Sequence, residues 1–191
     1  MEEAFVGLSD VLITPRIVER KPRGYTAESD QAFGLIDSKI KKGDITALQD
    51  ICDYGLKLCK AESAGLSLCG FVMDEPVFNW HVISGAVTKL GNIYFPRYGT
   101  PSGTAMELFS YQIFHHPERH YPWVRENGLV IHEMITMPIY LDNHEPFGTF
   151  WLMHKEGNHF DREDIRIISI LVTFIRKALN NKAFEKVLKF S

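Results

Sequence analysis

The sequence predicts an α+β fold: a central antiparallel sheet of five or six strands, with N- and C-terminal helices on one face and crossover loops with short helices on the other. Three observations predict it. Two stretches of helical periodicity open the patterned part of the chain, two pairs of short apolar runs joined by turns follow, and a long apolar stripe at three- and four-residue spacing closes it. Between the strand pairs runs a crossover rich in Gly, Pro, Tyr and Asn, the kind of segment that often carries a site.

The 191 residues suit one domain with appendages, and 45% hydrophobic with 24% charged residues excludes disordered, collagen-like and coiled-coil classes. With 21 Lys and Arg against 24 Asp and Glu, the net charge of −3 provides no field for nucleic acid or an anionic membrane, so neither is expected as a partner. No 18-residue apolar run and no basic-then-apolar leader is visible, which makes a cytoplasmic location the expectation. Cys52 and Cys59, seven apart in an apolar helical pattern, and Cys69 in a strand are expected to be reduced core residues.

Residues 1–27 form an expected N-terminal arm, weakly patterned, with Arg16, Arg20, Lys21 and Arg23 beside Pro15, Pro22 and Gly24. The domain proper is expected over 28–180. Its first helix, Asp30–Lys42, sets Phe33, Ile36 and Ile40 on one face, with Gly43 to end it and Asp44 to cap the next. That second helix runs from Asp44 to Ala61 on Leu48, Ile51, Cys52, Gly55, Leu56 and Cys59. A hairpin follows: Ala64–Met73, a turn at Asp74-Glu75-Pro76, then Val77–Ser84. The crossover, Gly85–Pro101, leads into a short helix, Ser102–Phe109, for which Thr100 and Ser102 are alternative caps. Ser110–His115 is a short strand and Pro117–Val124 one or two helical turns. Val130–Leu141 and Pro146–Lys155 make the second hairpin. In the latter strand Trp151 and Met153 face one way, Phe150 and Leu152 the other. Asp161 caps the last helix, whose stripe from Ile167 to Leu179 is expected to continue through Phe184, Val187 and Leu188 as a helical extension over 181–191.

The stretch from about Ile45 to Leu179 resembles a GAF domain, the small-molecule-sensing module of bacterial histidine kinases. The likeness rests on Ala61-Glu62-Ser63-Ala64-Gly65-Leu66-Ser67-Leu68, on Phe78-Asn79-Trp80-His81, on the crossover run Phe114–Pro122, and on Pro146-Phe147-Gly148-Thr149-Phe150-Trp151 followed by Phe160–Asp164. The resemblance implies a ligand pocket on the face away from the terminal helices, dimerisation through the helical layer, and a kinase or other signalling output domain as partner. Tyr98–Thr104 is similar to the family's Ser-Pro-Cys-Gly-Thr motif with Ser102 at the cysteine place, and no Cys-His pair occurs, so covalent bilin attachment lacks its anchor. The Asn-Lys-Phe-Asp-Glu signature of the cyclic-nucleotide branch is absent as well.

The layout brings Trp80, Tyr94, Phe95, Arg97, Ser102, Thr104 and Phe150 near the crossover face, where aromatic walls and a few polar groups suit a small ligand. For the aromatics the alternative is core packing. For Ser102 it is capping its own helix, which is favoured over anion binding. His115, His116 and His120 with Glu118 are a conceivable metal cluster, but loop packing is favoured and no metal site is assigned; His81 and His132 are expected to be satisfied strand histidines. No Gly-x-Ser-x-Gly elbow or phosphate loop is present. The expected function is therefore a non-catalytic sensory domain, a homodimer, that binds an unidentified small molecule and relays it through the terminal helices; no cofactor is identifiable. That reading needs a hollow space between the sheet and Tyr94–Thr104. The alternatives are a dimerisation or interaction module with a filled pocket and, third, a free methionine sulfoxide reductase, whose cysteine nucleophile the buried thiols suit poorly.

Overall fold

The N-terminal arm binds the edge of a β-sheet. In the computed structural model, which describes residues 6–22, 24, 27–90, 93–157 and 159–189, Ile13 N donates to Ile113 O at 2.8 Å, and Leu12 bridges Phe114. Thr14 Oγ1 accepts from Ile113 N at 2.9 Å. Without this cover the edge strand would expose unpaired backbone groups. The short helix α1 (Leu8–Val11) and a 3-10 helix, Thr14–Glu19, carry the arm across. Arg23 of the expected basic cluster, residues 1–5 of the arm and residues 190–191 of the extension lie outside the described residues.

Helices α2 (Ala27–Lys41) and α3 (Ala47–Leu58) follow, separated by Gly43 at φ 72°. Asp44 makes a turn ahead of α3, accepting from Thr46 N at 3.0 Å, and so does not cap the helix itself. The first hairpin pairs β1 (Ser63–Val72) with β2 (Glu75–Gly85). Its turn falls on Met73 and Asp74, both at positive φ, one residue earlier than expected: this two-residue form matches the twist of the strands it joins. Then come β3 (Tyr94–Pro96), α4 (Pro101–Glu107), β4 (Gln112–His115), α5 (Pro122–Glu126), β5 (Glu133–Tyr140), β6 (Pro146–His154) and α6 (Arg162–Leu179). The six strands form one antiparallel sheet in the order β3-β2-β1-β6-β5-β4.

Each face of the sheet buries its own core. Helices α2, α3 and α6 cover one, over Leu66, Leu68, Phe150 and Leu152. The crossover, with α4 and α5, covers the other, over Phe78, Trp80, Trp151 and Met153. Alternation along β6 serves both layers at once. Asp161 caps α6 as expected, accepting from Glu163 N at 2.8 Å, and Asp164 returns the bond to Asp161 N.

The expected helical extension does not form. Helix α6 ends at Leu179; Asn181 Oδ1 accepts from Ala183 N and Asn181 Nδ2 donates to Ile40 O at 2.8 Å, which turns the chain into a 3-10 helix, Lys182–Phe184. Phe184 and Leu188 then fold back into the helical-side core, since an apolar ring gains more there than on a projecting helix. Among the described residues no helix is long and apolar enough to cross a membrane.

Candidate functional site

The crossover face holds an aromatic chamber. Trp80 on β2 lies 4.9 Å from Trp151 on β6, 5.8 Å edge-on from Phe95 on β3 and 6.0 Å edge-on from Trp123 on α5. Trp123 in turn lies 4.6 Å from Phe95. The space left between them is about 10 Å³, at the lower limit for one water molecule. The expected hollow is therefore almost filled, and Trp123, which sequence reasoning did not single out, does the filling.

Trp151 is held in place from β1. Its indole Nε1 donates to Ser67 Oγ at 2.9 Å, and its ring lies against Gly65, where a Cβ would overlap it. Helix α4 is anchored by two buried hydroxyl pairs: Thr149 Oγ1 donates to Ser102 Oγ at 3.0 Å, and Thr104 Oγ1 shares a 2.8 Å bond with Tyr121 OH. Burial pushes the Tyr121 hydroxyl well above its usual pKa despite that bond.

Of the seven candidate residues, Trp80, Phe95 and Ser102 line the chamber, and Thr104 sits behind it. Ser102 is not the helix cap; Thr100 is, accepting from Gly103 N at 3.2 Å. Tyr94 and Arg97 do not line the chamber. Strand alternation turns Phe95 inward and leaves Tyr94 half exposed, while the Arg97 guanidinium sits 5.9 Å over the Tyr98 ring. Phe150 is placed wrongly by the sequence reading: it faces the helical layer, where Gly55 of α3 leaves room for its ring, and Trp151 takes the chamber side. Thr100, Pro101, Val124, Leu129, Ile131, Met134 and Met153 complete the lining. A solvent-facing cleft of about 300 Å³ adjoins the chamber and shares Leu129, Ile131 and Met153 with it.

Two thiols, Cys52 and Cys59, lie in the helical-side core, and the third, Cys69, packs at the margin of the crossover-side core. Cys52 and Cys59 are buried, and burial raises the Cys52 thiol far above its usual range. Burial also pushes Cys69 up to about 12, with its Sγ 3.5 Å from Met106 Sδ.

The GAF domain family matches residues 45–179 of this chain. The chain belongs to the GAF family. No curated protein matches its sequence. Among solved structures it is similar to the phycoerythrobilin-bound GAF domain of a cyanobacterial phytochrome, at 11% identity and TM-score 0.62, over 82% of this chain and 98% of that one. It is similar to the GAF domain of Acinetobacter phosphoenolpyruvate-protein phosphotransferase, at 9% identity and TM-score 0.63, over 82% and 95%. A third is the free methionine-R-sulfoxide reductase of Neisseria meningitidis in complex with its substrate, at 12% identity and TM-score 0.65, over 87% and 98%. At these identities the likeness is one of fold. It nevertheless overturns the expectation of a non-catalytic domain, because structures similar to this GAF domain include an enzyme.

Proposed function

We propose that this GAF domain, residues 28–180, senses a small, planar, largely apolar molecule that takes the place of the Trp123 indole against Trp80 and Phe95. The observation that carries the reading is Trp123 itself: a half-buried ring on a five-residue helix, closing a chamber whose other aromatic walls belong to the sheet. Moving that helix opens a slot of indole size toward the adjoining cleft. The need to open scales the apparent affinity down to the fraction of molecules that are open.

Strand β6 carries the response. A guest that shifts Trp151 shifts the same strand that sets Phe150 and Leu152 against Gly55 and Leu171 on the helical side. It acts only to the extent that it prefers one arrangement of the helices. The helical layer passes that preference to a second copy or to a kinase-type output domain.

The test is tryptophan fluorescence and thermal unfolding of the full chain against a panel of indole-sized planar compounds. Quenching with a raised Tm is expected, and Trp123→Ala should bind the same compounds more tightly because no plug must leave. Failure of both proteins to bind any member of the panel overturns the reading. The nearly filled chamber would then favour a second one, an interaction module packed by its own side chains, which sedimentation would reveal as a concentration-dependent dimer.

A further inference from the structure

Three histidines from two separate segments meet at the base of the loop that carries Trp123. His115 ends β4, His116 follows it at φ 50°, and His132 immediately precedes β5. The ladder brings them together: His115 pairs with Glu133, and His116 N donates to His132 O at 3.0 Å. Their rings stand edge-on at 4.4, 4.9 and 5.2 Å between centroids, and one nitrogen from each lies within 4.8 Å of the others.

From this we infer that His115, His116 and His132 bind a divalent transition-metal ion of the zinc class. Imidazole nitrogens select zinc and its neighbours over magnesium or calcium, which take oxygen ligands. Tetrahedral zinc with bonds of about 2.0–2.1 Å needs nitrogens about 3.4 Å apart, a separation the trio reaches from within 4.8 Å through the soft χ2 rotation of the rings.

Two further observations point to a ligand here. Among the described residues His132 Nε2 is buried without a hydrogen-bond partner, an unfavourable state that a bound cation relieves. Glu118 Oε1 holds His116 Nδ1 at 3.0 Å, which leaves Nε2 as the ligand atom; a carboxylate behind a ligating histidine fixes its orientation and basicity. Glu118 Oε2 is likewise buried without a partner among the described residues. The three rings are only partly buried, so an ion reaches them from solvent and a water completes the fourth position. The ion clamps both ends of the 116–132 loop, and with it the segment that holds Trp123, Leu129 and Ile131 over the chamber. The metal site stands whether or not the chamber takes a guest.

Calorimetric titration of zinc into the chelator-stripped full chain tests it. One equivalent bound at micromolar affinity or tighter is expected, with a raised Tm. His132→Ala and His116→Ala should each weaken binding at least tenfold, and Glu118→Gln about tenfold. His120→Ala should leave it unchanged, because His120 Nδ1 engages Val6 O at 2.7 Å, away from the trio. Absence of stoichiometric binding by the unmutated protein, or an equal loss in His120→Ala and His132→Ala, overturns the proposal. Should the alanine variants fail to fold, long-range ¹H–¹⁵N spectra of the unmutated protein decide it: zinc must shift the imidazole signals of His115, His116 and His132, and shifts confined to other histidines overturn it.

Discussion

Arg20 grips Glu133 through two parallel hydrogen bonds, Nη1 to Oε2 at 2.8 Å and Nη2 to Oε1 at 2.7 Å, and so ties the N-terminal arm to the start of β5. The same guanidinium donates to Phe160 O at 2.8 Å. Glu133 is 1% exposed; burial alone would raise its pKa, but Arg20, His159 and the Phe160 N–H outweigh burial and hold it below the usual carboxylate range. A planar fork on a buried carboxylate is the geometry in which arginine and lysine are not interchangeable.

Arg20→Ala is therefore expected to destabilise the domain by about 3 kcal/mol, because it strands a buried charge. Arg20→Lys should recover only part of this. Urea denaturation of the three proteins measures it; a loss below about 0.5 kcal/mol for the alanine variant would show that the arm is only loosely attached.

Gly65→Ala should destabilise by about 1–3 kcal/mol through overpacking, since its new methyl overlaps the Trp151 indole. Displacement of that ring also strains its bond to Ser67 Oγ. A lowered Tm together with altered tryptophan emission is the expected pair of readouts.

Phe150→Ala should cost about 3–5 kcal/mol as a core cavity, and should change the affinity of any chamber ligand less than Trp80→Ala does, because the ring faces the helices and touches the chamber only through β6. Trp80→Ala should change that affinity strongly. Thermal-shift titrations of the two variants side by side distinguish the faces of the sheet.

The folded protein should react slowly with thiol reagents. With burial pushing Cys69 up to about 12, its thiol stays almost wholly protonated at pH 8. Cys52 and Cys59 are buried. Titration with a chromogenic disulfide should release little colour until denaturant is added, and then three equivalents; rapid reaction of any one thiol in the native protein would contradict the burial.

Much of this fold was legible because its signals are local. Asp161 ahead of an apolar stripe marked the start of α6, Gly43 the break between α2 and α3, and alternation marked β6 as buried on both faces. The extension beyond Leu179 was misread because Phe184, Val187 and Leu188 keep the helical spacing, while the Asn180-Asn181 interruption ends the helix and redirects them. The chamber was legible in part. Trp80, Phe95 and Ser102 were recognisable as crossover-face residues, but Trp123 carried only the weak signal of an aromatic in a proline-led turn.

By itself the sequence determined the type and order of the two helices, the two hairpins and the closing helix, though not β3 or the short helices of the arm, and the alternation within each hairpin strand, since periodicity depends on neighbours a few residues away. It could not assign the sign of that alternation. Whether Phe150 or Trp151 meets the helices depends on which face α3 and α6 cover. Only the tertiary structure decided that, and likewise that His132 joins His115 and His116 while His120 turns away to Val6. The reason is physical: strand register brings together residues far apart in the chain, and nothing local to either segment encodes the match.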